Sequence, residues 1–212
     1  MDSADFRRFY AGLYIFNNAL YRSLTGRNTT KLSFVQSAVQ SLALDAPREP
    51  FVNVICFCLM PNHFHLLVEQ LQEGGVSNFM HRLDTAYTKY FNKRYERTGR
   101  LFEGPFKAVL IKRDAQLAHI PRYIHLNALD LTDLKWREGK IDDWPRAESF
   151  INAYTWSSHH VYMDKSQQFP VVEKSLMAEL FKTSQQYMSF LRQWGTRESI
   201  ATRTLSPFTV QS

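Results

Sequence analysis

The run Leu59-Met60-Pro61-Asn62-His63-Phe64-His65-Leu66-Leu67-Val68 constrains this chain more than any other. Pro61-Asn62 separates two apolar runs, Phe51 to Met60 and His63 to Glu69, which predicts a pair of strands joined as a hairpin. Side chains alternate faces along a strand, so His63 and His65 point the same way. Two imidazoles on one face of a stiff apolar strand form a platform for a metal ion. Such a pair can also be two satisfied core histidines, and the spacing alone leaves both readings open. Far downstream, Tyr123-Ile124-His125-Leu126-Asn127 places Tyr123 and Asn127 four residues apart. A helix there puts a phenol and an amide on one face and turns His125 away from both. Two imidazoles, an amide oxygen and a phenol suit metal-assisted attack on a phosphodiester.

Around these segments the pattern alternates between strand and helix. Leu13-Tyr14-Ile15-Phe16 reads as a first strand that enters a polar loop at Asn17-Asn18. Thr30 caps a helix running to about Leu44. Gly74-Gly75 is a break. A long helix from Val76 to about Tyr95 carries Phe79, Leu83, Ala86, Tyr87, Tyr90 and Phe91 at helical spacing. Arg97 to Gly104 is a turn-rich loop, and Phe106 to Ile111 is a fourth strand. Asp114 caps a helix through about Leu129, with Pro121 inside it or at its start. The order β-α-β-β-α-β-α is that of an α+β, ferredoxin-like antiparallel sheet with helices on one face. Residues 131–212 read as a mainly helical C-terminal extension, with helices near Glu148 to Tyr162, Val172 to Phe181 and Ser184 to Trp194. Gly195 ends the last, and a polar tail follows from Thr196. The expected division is a domain over 1–130 and the extension over 131–212.

The net charge of +6 is concentrated. Residues 76–113 hold nine basic and three acidic side chains, while the flanking stretches balance. The same segment holds Phe79, Tyr87, Tyr90, Phe91, Tyr95, Phe102 and Phe106. Focused cations interleaved with rings suit a single-stranded nucleic acid, whose phosphates and bases they match. A solvated basic helix face over core aromatics gives the same pattern. Arg82, Lys89, Lys93, Arg94, Arg97, Arg100 and Lys107 are the candidate phosphate contacts. No run of about 18 apolar residues predicts a membrane span. The N-terminus has no apolar signal core, so the expected location is cytoplasmic and nucleoid-associated. Cys56 and Cys58, neighbours on one strand face, read as two small buried hydrophobes. The alternative is a structural zinc site that they form with His63 and His65.

Four blocks then carry a resemblance. They are Leu59 to Leu67, Tyr87-Thr88-Lys89-Tyr90-Phe91-Asn92, Gly99 to Lys107, and Arg122-Tyr123-Ile124-His125-Leu126-Asn127. In this order they resemble the single-tyrosine HUH transposase family, most closely its REP-associated tyrosine transposases. Trp156-Ser157-Ser158 is similar to a further block, and the likeness runs from about Leu13 to Tyr162. Ala128 stands where the family usually has proline, and Pro121 intrudes before the tyrosine. The resemblance implies that His63, His65 and Asn127 hold Mg²⁺ or Mn²⁺ and that Tyr123 is the nucleophile. It implies a nuclease and strand transferase that cuts single-stranded DNA beside a hairpin through a 5′-phosphotyrosine, as monomer or homodimer. The alternative is a domesticated hairpin-binding protein that does not cut.

Overall fold

The computed structural model describes residues 1–21, 47–112, 114–139 and 141–194. The expected helix from Thr30 to Leu44, the stop at Gly195 and the tail after it lie outside these residues. The class is α+β: an antiparallel two-stranded sheet, with helices before and after it and a helical C-terminal part. The described residues pack as two compact units.

The first unit draws on residues 1–53, 68–105 and 167–171. Its N-terminal helix α1 spans Ser3–Ile15, so Leu13 to Phe16 is not a strand. Asp2 starts the helix: its side chain accepts from the amides of Ala4 and Asp5, and Asp5 reaches back to the Asp2 amide, a reciprocal cap. Phe6, Phe9, Leu13 and Tyr14 are buried at helical spacing, and burying that stripe overrides the strand preference of four apolar residues taken alone. Asn17 is buried next. It donates to the Val52 carbonyl at 2.7 Å and accepts from the amides of Phe51 and Val52, fixing where the sheet begins.

Helix α2 spans Gly75–Arg94. Gly74 stands at φ 66°, a left-handed value that suits glycine. A Cβ on Gly75 would lie 2.5 Å from the Phe51 carbonyl oxygen, so that approach also needs glycine. The α2 face of Phe79, Met80, Leu83 and Tyr87 is buried, with Tyr87 edge-on to Phe9 at 4.9 Å. Asp5 is fully buried. It accepts from Tyr90 Oη at 3.0 Å, Tyr95 Oη at 2.6 Å and Arg94 Nη1 at 2.8 Å. A buried carboxylate is tolerated because its lone pairs are taken up.

The sheet consists of β1, Val52–Leu59, and β2, Phe64–Gln70. The Met60 amide bonds to the His63 carbonyl at 2.8 Å and closes the hairpin, as Pro61-Asn62 predicts. The second unit draws on residues 54–67, 106–166 and 172 onward. There β1 makes a parallel bridge at Val172 and an antiparallel one at Ser157. Tyr162 Oη donates to the Ile55 carbonyl at 2.7 Å, and Ser158 Oγ accepts from the Phe57 amide at 2.8 Å. Phe106 to Ile111, expected as a fourth strand, takes no regular structure. Val109 and Leu110 are 47% and 76% exposed. Strand-like alternation without a ladder partner does not make a strand, and β1 spends its groups on the C-terminal segments.

Helix α3 spans Asp114–Leu126, with Pro121 inside it. It tightens into a 3₁₀ turn over Asn127–Leu131, ending as an α-helix short of the expected Leu129. A second 3₁₀ turn follows at Trp136–Glu138. The expected helix around Glu148 to Tyr162 is two: α4, Trp144–Ala153, and α5, His159–Tyr162. Asp143 caps α4 through the Arg146 amide, with Pro145 in the first turn. Next come α6, Ser175–Ala178, and α7, Ser184–Arg192. A buried polar chain ties α7 to α3. Tyr187 Oη meets His125 Nδ1 at 3.0 Å and His159 Nδ1 at 2.7 Å, while His125 Nε2 meets Ser158 Oγ at 2.7 Å. Burial pushes both histidines well down, His159 to about 3. His125 therefore belongs to the core.

Candidate active site

The hairpin and α3 bring together four of the residues expected from sequence, all in the second unit. His63 Nδ1 lies 2.8 Å from Asn62 Oδ1. An amide oxygen only accepts, so that bond puts the His63 proton on Nδ1 and leaves Nε2 as a bare lone pair. His63 Nε2 faces His65 Nε2 at 3.1 Å, the same-face geometry the alternation predicts. His65 is 1% exposed, and its Nδ1 is buried without a hydrogen-bond partner. Burial, then the neighbouring His63 and Arg137, push His65 down to about 3. Burial also lowers His63. Both rings are therefore neutral at pH 7, the form in which imidazole binds a metal.

The Tyr123 ring stands edge-on to His65, with centroids 5.7 Å apart. Asn127 follows one turn later, fully buried. Its Nδ2 donates to the Tyr123 carbonyl at 2.7 Å, and its side chain is within hydrogen-bond reach of His65. Two neutral imidazoles with facing nitrogens, beside an amide oxygen, are a donor set that fits a divalent cation.

Cys56 and Cys58 are free and buried, and burial raises both thiols above their ordinary value. Cys58 Sγ lies 3.8 Å from Met60 Sδ. Among the described residues no group of three or more His, Cys, Asp or Glu side chains gathers to hold a metal. The zinc reading is therefore corrected: the thiols are packed into the core as small hydrophobes.

Sequence reasoning missed a third component, from the turns after α3. Arg137 Nη1 donates to Tyr123 Oη at 3.2 Å, and Nη2 donates to Asn127 Oδ1 at 2.7 Å. Asp130 holds the other side of the guanidinium, through Nε at 2.9 Å and Nη2 at 2.5 Å. Trp136 Nε1 steadies Asp130 at 2.6 Å. Burial works against the Arg137 charge, but the bonds to Asp130 and Tyr123 outweigh it and raise the pKa of the group. An arginine ten residues beyond Asn127 has no spacing that marks it. Only the two turns bring it back.

The expected phosphate contacts separate into two groups. Arg82 donates to the carbonyls of Asn18 and Tyr21 and lies over the Phe51 ring. Arg94 pairs with Asp2 and Asp5 and bonds to Tyr90. Both serve the first unit's own packing. Lys89, Lys93, Arg97, Arg100 and Lys107 are exposed, and the Arg97 guanidinium stands 5.7 Å from the Phe91 ring.

Residues 27–127 match the family model described as "Transposase IS200 like". That stretch of the chain is similar to the family. No curated protein and no solved structure matches the chain. The match to the transposase model takes in His63, His65, Tyr123 and Asn127 and stops short of Asp130 and Arg137. Among the described residues no helix is long and apolar enough to cross a membrane.

Proposed function

We propose that this chain is a single-tyrosine HUH nuclease and strand transferase, of the REP-associated kind, that cuts single-stranded DNA beside a hairpin. The observation that carries the reading is the meeting of His63 Nε2 and His65 Nε2, 3.1 Å apart, with Asn127 and Tyr123 from α3. His63, His65 and Asn127 would hold Mg²⁺ or Mn²⁺. When bound, that ion supplies Lewis-acid polarisation of the scissile phosphate and offsets its developing charge. Lys89, Lys93, Arg97, Arg100 and Lys107 bind DNA phosphates, and their contribution weakens as salt rises.

Tyr123 Oη attacks phosphorus. The Oη–P bond forms as the P–O3′ bond breaks, leaving a 5′-phosphotyrosine and a free 3′-hydroxyl. The phenolic proton passes to water, and the departing 3′ oxygen takes one up. One phosphodiester replaces another, so joining to a new 3′-hydroxyl reverses the step without a nucleotide cofactor.

The test is a denaturing gel of the protein with labelled single-stranded hairpin oligonucleotides taken from DNA flanking its gene, with Mn²⁺ or Mg²⁺. The expected result is a labelled band at protein mass that needs metal and is lost in Tyr123→Phe and His63→Ala. Hairpin binding without any adduct, unchanged in Tyr123→Phe, overturns cleavage and leaves a hairpin-binding protein.

A further inference from the structure

The Arg137 guanidinium lies against the oxygen that would attack. We infer that Arg137 is a catalytic residue that receives the scissile phosphate beside Tyr123, and that Asp130 is its positioning residue. The inference rests on the nuclease reading and assigns the site a cation from its own chain.

A guanidinium has five N–H donors. Arg137 directs Nε and one Nη2 hydrogen to Asp130, the other Nη2 hydrogen to Asn127 Oδ1, and one Nη1 hydrogen to Tyr123 Oη. The donor left over is on Nη1, the nitrogen 3.2 Å from Tyr123 Oη. Phosphorus under attack by Tyr123 Oη carries its non-bridging oxygens next to that nitrogen. The bond from Nη1 uses one lone pair of the phenol, leaving a second for attack and the O–H proton free to go.

The group is also held in place. Asp130 grips it at two nitrogens, Trp136 Nε1 holds Asp130, and the guanidinium lies over the Trp136 ring at 4.6 Å. A fork clamped on one edge, with its charge toward the reacting atoms, stabilises an anionic transition state without reorganising. The Arg137 side chain is 47% exposed, so a DNA strand can reach it. A salt bridge that only tied the turns together would not need Nη1 turned to the phenol.

The test compares single-turnover adduct formation by wild-type protein and Arg137→Gln on the same hairpin oligonucleotides with Mn²⁺. Each is run with a normal phosphodiester and with an uncharged methylphosphonate at the mapped cleavage position. On the phosphodiester, Arg137→Gln should lose about 100-fold or more. Its fold, read by circular dichroism, should match wild type. On the methylphosphonate the gap should shrink to less than about fivefold, because the charge that Arg137 meets is gone. Asp130→Asn should give a smaller loss with the same dependence on linkage. If Arg137→Gln does not fold, Arg137→Lys serves in its place, since it keeps the charge and loses the fork. An equal gap on both linkages, or no gap, overturns the inference while the nuclease reading stands. A wild-type protein that forms no adduct overturns both.

Discussion

Asn127 Nδ2 donates to the Tyr123 carbonyl at 2.7 Å, while Asn127 Oδ1 accepts from Arg137 at 2.7 Å. One end of the amide needs an acceptor and the other a donor, so the group cannot turn over. Its oxygen keeps a second lone pair for a ligand. A carboxylate of the same shape cannot donate to the Tyr123 carbonyl and would press an anion against it. Asn127→Asp should therefore lower stability by about 1–3 kcal/mol even though Arg137 stands beside it. Urea unfolding of the two proteins at pH 7 checks this, and an unchanged midpoint contradicts it.

Tyr187 should matter as much as a core aromatic of any kind, but through its hydroxyl. Tyr187→Phe keeps the ring and removes the partner of two buried nitrogens, His125 Nδ1 and His159 Nδ1. Leaving them unpaired should cost about 2–4 kcal/mol. The drop should appear in denaturant unfolding, with little change in the slope, because the same surface is buried.

Acid should unfold this protein by way of its histidines. His65 and His159 are held near 3 by burial, and His125 well below its ordinary value. Above pH 6.5 these rings are neutral folded or unfolded, and pH changes nothing. Below it the unfolded chain takes up protons that the folded chain refuses, so stability falls as pH drops from about 6.5 toward 3. Each histidine should contribute roughly 2 kcal/mol of loss between pH 7 and pH 5. Unfolding free energies measured across that range should show it, with a shallower slope in His159→Gln. A flat profile would refute it.

Asp84 works in the opposite sense. It lies on α2 with Oδ1 buried and unpartnered, and burial pushes its carboxyl up to about 7. Its folded pKa lies above its unfolded value, so it weighs on the fold increasingly as pH rises from about 4 to 7. Asp84→Asn should stabilise the protein by up to about 4 kcal/mol at pH 7.5 and by almost nothing at pH 4. Melting temperatures at the two pH values decide the point.

The parts of this fold legible in the sequence are those in which pattern and punctuation agree. Pro61-Asn62 between two apolar runs gives β1, β2 and the same-face histidines. Gly74-Gly75 before a helical stripe gives α2. The i, i+4 spacing of Tyr123 and Asn127 gives their adjacency. Leu13 to Phe16 misleads because four apolar residues fit a strand or a buried helix, and the deciding cap, Asp2 with Asp5, lies some ten residues upstream. Phe106 to Ile111 misleads because alternation says nothing about a partner. Arg82 and Arg94 count toward the basic segment, yet carbonyls and carboxylates of the first unit engage them. Arg137 and Asp130 were hidden in a stretch with balanced charge. What draws them to Tyr123 is the path of two 3₁₀ turns, which no periodicity encodes.

The ties made by α7 bear on what can be moved to another setting. Tyr187 bonds to His125, two residues from Tyr123, and Trp194 Nε1 donates to the Trp136 carbonyl at 2.6 Å, next to Arg137. The family match ends at Asn127, and a tempting minimal nicking module would stop soon after it. That fragment would hold every residue expected to touch metal, yet lack the buttress behind the helix of Tyr123 and the one behind the Arg137 turn. The portable unit runs at least through Trp194.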